Sequence, residues 1–279
     1  MELELTEDDL HSYQQLASEP GQYEDQRFLK SGLGPNPLSL VASVLLVVLQ
    51  YALIIYLVRQ DSYLRYYFYF TFIHGISLVL MYLLNKSNPG VVKRNTDLQA
   101  YLSDAAPATV AVLENHRFIQ RWCVDCRIYK PPRVKHCYEC GSCIARFDHH
   151  CQWLSNCIGH NNYKLFITFV AHFVSSMLFT VLYIAYFIRK IGFFKGLYYR
   201  LDLWLSFAVY EKMTFLILVF FVISAAIGAY SILVHLYFIA KNMTYYEYVS
   251  NPYGGTNPFD RGALENLLFF FRLPLTLDG

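Results

Sequence analysis

The sequence predicts an all-α polytopic membrane protein, with four transmembrane helices and a cytosolic cysteine-rich domain between helices 2 and 3. Three observations carry that prediction. The 279 residues are 55% apolar and 18% aromatic but only 16% charged, a balance unsuited to a soluble pair of domains of this length. Four separate apolar runs each approach or exceed the ~20 helical residues that cross a bilayer. All 7 cysteines fall between Cys123 and Cys157. A net charge of +2 leaves no general field for gripping a polyanion, which argues against nucleic acid as the main partner. The clustering of the cysteines excludes a disulfide-stapled secreted scaffold and points to a local metal site in a reducing compartment.

Residues 1–38 read as a cytosolic N-terminal segment. Its early acids (Glu2, Glu4, Glu7, Asp8, Asp9) and the lack of a basic start before an apolar region argue against a cleaved signal peptide. Residues 39–84 hold helices 1 and 2, as apolar runs over 39–58 and 66–84 that stop at Arg59 and Asn85. Residues 85–165 form the loop with the cysteine-rich block. Residues 166–240 hold helices 3 and 4, over 166–188 and 214–240, which stop at Arg189 and Lys241. Residues 241–279 are a cytosolic tail.

An even number of crossings puts both termini and the central loop on one face. Basic residues do not choose that face, because Arg189, Lys190, Lys195, Arg200 and Lys212 crowd the short loop opposite. The cysteines do choose it, since thiolate ligands persist where thiols stay reduced, and this places the loop in the cytosol. Two sequons, Asn85-Lys86-Ser87 and Asn242-Met243-Thr244, lie on the same face, so glycosylation at either would reverse the orientation.

The block from Cys123 to Cys157 contains an internal repeat. Cys123, Cys126, His136 and Cys143 follow the pattern C-x2-C-x9-H-x6-C, and Cys137, Cys140, His150 and Cys157 repeat it 14 residues later. Each copy supplies three thiolates and one imidazole, a donor set suited to a closed tetrahedral zinc site. Two structural Zn²⁺ ions therefore use eight ligands. A chance cluster of cysteines would have to produce the same spacing twice.

Three residues are left over: Cys151, His149 and Asp148. A free thiol beside a histidine, between two rigid metal sites, reads as a nucleophile. His149 then takes the thiol proton or holds the thiolate, and Asp148 orients the imidazole. The alternative is that His149 is a spare or alternative zinc ligand and Cys151 a spectator, since the choice between His149 and His150 rests on repeat spacing alone.

Arg146-Phe147-Asp148-His149-His150-Cys151, with Lys130-Pro131-Pro132-Arg133 and His136-Cys137 before it and Trp153, Asn156-Cys157 and Gly159 after it, resembles the cysteine-rich domain of DHHC-type protein S-acyltransferases. The resemblance extends over most of the chain. Asn88-Pro89-Gly90 is similar to the family's Asp-Pro-Gly. Residues 242–247, Asn-Met-Thr-Tyr-Tyr-Glu, resemble its Thr-Thr-x-Glu segment. Residues 257–262, with Asn266 and Phe269 to Phe271, resemble its C-terminal palmitoyltransferase motif. Gln152 stands where many members have Pro, Asn88 replaces Asp, and Tyr245 replaces the second Thr, which leaves the hydrogen bonding of those motifs open.

The resemblance implies a two-step transfer. Cys151 attacks the thioester of a long-chain acyl-CoA, carries the acyl group, and passes it to a cysteine of a substrate protein, with palmitoyl as the expected group. It further implies structural zinc, an acyl chain lodged between the helices, and a Golgi or endoplasmic reticulum membrane with the active site facing the cytosol. The expected partners are thus the lipid bilayer, acyl-CoA and cysteine-bearing proteins. Two other classes stand beside this reading. A non-catalytic membrane-anchored zinc scaffold would need the ligands but not Cys151, and a transporter would use His74, His172 and His235 within the spans.

Weaker features complete the reading. The three span histidines are expected to be neutral and bonded within the bundle. The aromatics of 66–72 and 183–187 line an acyl cavity or pack helices. Residues 192–207 suggest an aromatic helix on the far membrane surface. Arg121, Arg127, Lys130, Arg133, Lys135, Arg146 and Lys164 are available to the phosphates of an acyl-CoA head group or to anionic lipid.

Overall fold

The computed structural model describes residues 3–4, 33–61, 64–94, 108–113, 116–194, 201–255 and 257–273. Six helices dominate it: α1 (Pro37–Asp61), α2 (Leu64–Lys86), α3 (Tyr163–Phe194), α4 (Leu201–Ala240), α5 (Tyr245–Ser250) and α6 (Ala263–Arg272). α1 begins on Pro37, whose missing N–H and fixed φ cost nothing at a first helical position. Among the described residues, four stretches are long and apolar enough to span a membrane: Pro37–Tyr56, Arg65–Lys86, Tyr163–Phe187 and Phe215–Ala240. At about 1.5 Å per residue, each reaches the ~30 Å of a hydrocarbon core. Side chains such as Leu45, Leu49, Phe72, Leu182, Ile227 and Leu233 face outward, an apolar surface suited to lipid rather than water. The chain is an integral membrane protein.

α3 and α4 run beyond the apolar segments, over part of the 189–213 stretch that the sequence reads as loop. Apolar runs mark only where a helix meets hydrocarbon, and a helix continues past that point wherever its backbone stays bonded. Residues 201–207 thus open α4, while 195–200 of the suggested surface helix lie outside the described residues.

The chain divides into two compact units. One comprises residues 44–80 and 167–235, and its described residues are helical. Its core joins Ile54, Ile55 and Val58 of α1, Phe70 of α2, Met177, Tyr183, Ile184 and Phe187 of α3, and Phe221 and Ala225 of α4. Tyr66 and Phe70 meet Tyr183 ring to ring at 5.0 and 5.2 Å, so these aromatics pack helices together. A Cβ on Gly228 would come within 2.6 Å of Val174, and the missing side chain lets α3 and α4 approach closely, as small residues do between membrane helices. His74 Nδ1 bonds the Phe70 carbonyl at 2.9 Å, and His172 Nε2 lies 3.1 Å from Ser77 Oγ and 3.2 Å from the Ile73 carbonyl. His235 is also buried.

The other unit comprises residues 1–43, 81–166 and 236–279. A four-stranded sheet has the order β1 (Leu3–Glu4), β2 (Ala108–Leu113), β3 (His116–Cys123), β4 (Ile128–Tyr129), with β1 parallel to β2 and the rest antiparallel. Two short hairpins follow, β5 (Lys135–Cys137) with β6 (Ser142–Ile144) and β7 (His149–Cys151) with β8 (Asn156–Ile158). Their registers account for the repeat. His136 faces Cys143 and His150 faces Cys157, so H-x6-C is one tight hairpin. Cys137 closes β5 and Cys140 lies in the turn after it, so the second C-x2-C is built into the first copy's hairpin.

Candidate active site and metal clusters

Folding each copy onto itself gathers its four donors. Cys123, Cys126, His136 and Cys143 form one group and Cys137, Cys140, His150 and Cys157 another, with the ligand atoms of each group within 4.8 Å of one another. In the first, His136 Nδ1 lies 3.4, 3.4 and 3.7 Å from the sulfurs of Cys123, Cys126 and Cys143. In the second, His150 Nδ1 lies 3.6, 3.4 and 3.4 Å from Cys137, Cys140 and Cys157. A tetrahedron with Zn–S of about 2.3 Å and Zn–N of about 2.1 Å has S···N edges of roughly 3.6 Å. The donor type and the spacing both fit, and each cluster can hold a metal ion.

Cys151 belongs to neither cluster. Six of the seven cysteines are buried, and Cys151 alone is partly exposed. It ends β7 opposite Asn156, one residue past His150, so the second cluster fixes its backbone. His149, on the same strand, directs Nδ1 at Asp148 Oδ2 over 2.7 Å, which leaves Nε2 for the thiol. Burial works against the charge of this imidazole. The Asp148 carboxylate and the hydrogen-bonding Cys151 thiol outweigh burial and raise its pKa to about 9. The ring of Phe166 meets the His149 ring edge-on at 5.3 Å.

Asp148 is itself held. Its side chain is buried, and Oδ1 accepts the Tyr245 backbone N–H at 2.9 Å. Thr244 caps α5 in a reciprocal box with Glu247, whose Oε2 accepts the Thr244 N–H at 2.9 Å while Thr244 Oγ1 accepts the Glu247 N–H at 3.2 Å. The open question about Tyr245 is thereby answered, because the backbone of that position and not its side chain touches Asp148. Asn88 is answered in a similar way: its Oδ1 accepts the N–H groups of Gly90 and Val91 at 2.8 and 3.0 Å, a task a carboxylate would share.

Two arginines tie this region to the segment after α4. Arg133 makes a two-pronged pair with Glu247, stacks on Phe259 at 4.4 Å and donates to the Asn242 side-chain and backbone oxygens. Arg146 Nη2 donates to the same Asn242 Oδ1 at 3.0 Å. Both arginines adopt left-handed φ, 67° and 45°, a strained backbone that these buried contacts hold in place. Asn266 donates to the Ala240 carbonyl at 2.8 Å and closes the last turn of α4.

These contacts change two sequence readings. Arg133 and Arg146 are internal ties, Lys164 Nζ bonds the Phe271 carbonyl at 2.9 Å, and Lys135 Nζ lies over Tyr246 at 5.1 Å. Of the seven cationic candidates for phosphate, Arg121 is exposed, Arg127, Lys130, Arg133, Lys135 and Lys164 are partly exposed, and Arg146 is buried. The sequon asparagines are both buried: Asn85 bonds the Leu33 and Leu154 carbonyls, and Asn242 holds the arginines. A glycan at either would break these contacts.

Asn36 and Asn156 carry roles that sequence reasoning missed. Asn36 Oδ1 lies 2.6 Å from His150 Nε2, and Asn156 Nδ2 donates to the Leu84 and Ser87 carbonyls at 2.7 and 2.8 Å. No local pattern marks Asn36, which is 114 residues from its partner.

The family model described as DHHC palmitoyltransferase matches residues 116–252, just under half of the chain, and one described as Apicomplexa microprotein matches residues 1–71. Palmitoyltransferase ZDHHC5 of Homo sapiens is 33% identical over 152 residues, covering 53% of this chain and 19% of the relative. Palmitoyltransferase ZDHHC5-B of Danio rerio is 34% identical over 152 residues, covering 53% and 21%. Probable protein S-acyltransferase 2 of Arabidopsis thaliana is 28% identical over 222 residues, covering 71% and 52%. The matched region thus spans about a fifth of the vertebrate relatives and about half of the plant one.

Proposed function

We propose that the chain is a member of the DHHC palmitoyltransferase family and a protein S-acyltransferase, moving a long-chain acyl group, palmitoyl above all, from acyl-CoA to cysteines of substrate proteins at the cytosolic membrane face. The observation that carries this reading is a single partly exposed thiol beside a histidine anchored on a buried carboxylate.

His149 Nε2 takes the Cys151 thiol proton, and Asp148 holds the resulting imidazolium by Nδ1. The thiolate attacks the donor's thioester carbonyl, the C–S bond to CoA breaks, and the CoA thiolate leaves with the proton that His149 returns. The acyl group is now a thioester on Cys151. In the second half, His149 takes the proton of a substrate cysteine, whose thiolate attacks that thioester and releases Cys151, which is reprotonated. Thioester is exchanged for thioester in both halves, so no outside energy source is needed. The eight clustered donors would hold structural zinc, which would supply rigidity, while both exchanges run on Cys151, His149 and Asp148.

The cytosolic orientation and a Golgi or endoplasmic reticulum location belong to the same proposal. The reducing compartment that thiolate ligands require supports the orientation. The test is to incubate purified protein with labelled palmitoyl-CoA and look for hydroxylamine-sensitive label on the chain. Cys151→Ser is expected to lose the label while keeping about two zinc ions per chain. Label that survives in this variant would overturn the assignment of the nucleophile, and a wild type that never takes label would favour a zinc scaffold.

A further inference from the structure

The internal repeat extends one position beyond the ligands. Between the cysteines of the first C-x2-C stands Asp125, and 14 residues later, between those of the second, stands Glu139, so both knuckles read C-x-acid-C. Each carboxylate lies beside the histidine of its own cluster, on the ring edge turned away from the sulfurs. Asp125 Oδ2 is 3.3 Å from His136 Nε2, and Glu139 Oε2 is 3.2 Å from His150 Nε2.

A histidine that gives its Nδ1 lone pair to a metal must carry its proton on Nε2, and that N–H needs an acceptor. We propose that Asp125 and Glu139 are positioning residues for the two metal sites, each holding its cluster's histidine in the Nε2–H form so that Nδ1 faces the thiolates. The proposal rests on the metal reading of the clusters. Neither acid is needed to fill a core, since their side chains are 60% and 43% exposed. Their removal therefore costs the fold little and the metal site directly.

The two sites differ in one respect. His150 Nε2 has a second acceptor, Asn36 Oδ1 at 2.6 Å, and the Asn36 backbone N–H donates to Ser155 Oγ at 2.7 Å. Among the described residues, Asp125 is the acceptor found beside His136 Nε2. The first site should therefore depend on its carboxylate more than the second, and the second should become as sensitive once Asn36 is removed.

The experiment follows zinc release from the purified full chain to a chromogenic chelator, with maleimide labelling of freed cysteines read by mass spectrometry. Asp125→Ala is expected to speed the loss of one ion by ~10- to 100-fold, with label on Cys123, Cys126 and Cys143, and Asp125→Asn, still an acceptor, by less. Glu139→Ala alone should change release only slightly. Glu139→Ala with Asn36→Ala should free the other ion, exposing Cys137, Cys140 and Cys157. A wild type holding two ions whose release is unchanged by Asp125→Ala overturns this inference and leaves the metal reading intact. A wild type that holds no zinc overturns both.

Discussion

Arg133 and Glu247, 114 residues apart, meet in a two-pronged ion pair, Nε to Oε1 at 2.7 Å and Nη2 to Oε2 at 2.8 Å. Glu247 is also the return arm of the α5 capping box, and Thr244 begins the turn that offers the Tyr245 N–H to Asp148. One carboxylate therefore links a cysteine-rich loop, the segment after α4 and the candidate base.

Removing one partner of this pair leaves the other charge buried and uncompensated. Arg133→Ala or Glu247→Ala should cost ~3–5 kcal/mol, read as a fall in thermal midpoint of the zinc-loaded protein. Arg133→Lys should recover only part of the loss, because an ammonium cannot make both bonds of the fork. A midpoint unchanged in Glu247→Ala would show that the pair does not hold the unit together.

The same pair sets an acid dependence. Burial alone would raise the Glu247 pKa, but the Arg133 guanidinium outweighs it and holds the carboxyl below its ordinary value. A carboxyl depressed in the folded state contributes stability that is full above its unfolded pKa, about 4.3, and is lost as pH falls through the lower folded value. The stability gap between wild type and Glu247→Gln should stay constant from pH 7 to about pH 5 and close below about pH 4. Denaturation curves of the two proteins at matched zinc saturation measure it, and a gap that widens in acid would contradict the sign.

His149→Ala should slow self-acylation by ~10²- to 10⁴-fold while both metal ions remain. Asp148→Asn should slow it less if orientation is its role, since the amide still engages Tyr245 or His149. Label incorporation and zinc content, measured on the same sample, separate chemistry from metal binding. Normal turnover with a missing ion in His149→Ala would mean that His149 and His150 had exchanged roles.

Asn156 stands directly across β7–β8 from Cys151, and its Nδ2 donates to the Leu84 carbonyl in the last turn of α2 and to the Ser87 carbonyl just beyond it. Asn156→Ala should cost ~1–3 kcal/mol, because those buried carbonyls lose their donor. Asn156→Asp should cost more, since a carboxylate would then face carbonyl oxygens. Both should reduce the self-acylation rate constant more than the half-saturating acyl-CoA concentration. A change confined to the latter would place Asn156 at the donor instead.

The four spans and the two donor sets could be read from the chain alone because both are local. An apolar run crosses a bilayer by its own length, and H-x6-C closes by its own hairpin, so neither needs a distant partner. The departures Asn88 and Tyr245 could not be judged that way. Whether they matter depends on whether side chain or backbone makes the contact, and only the fold reveals that Tyr245 uses its N–H and that Asn88 accepts as a carboxylate would. The basic residues show a related limit. Composition counts charges, whereas Arg133 and Arg146 are consumed inside the protein by Glu247 and Asn242.

What the order of residues determined by itself was the set of groups present: which sulfurs and imidazoles pair by spacing, and which thiol is left over. What tertiary structure alone decided was how those groups are held. Asn36 reaches His150 and Arg133 reaches Glu247 across more than a hundred residues. Contacts of that span are chosen by packing of the whole chain and leave no period or motif in the stretch of sequence around either partner.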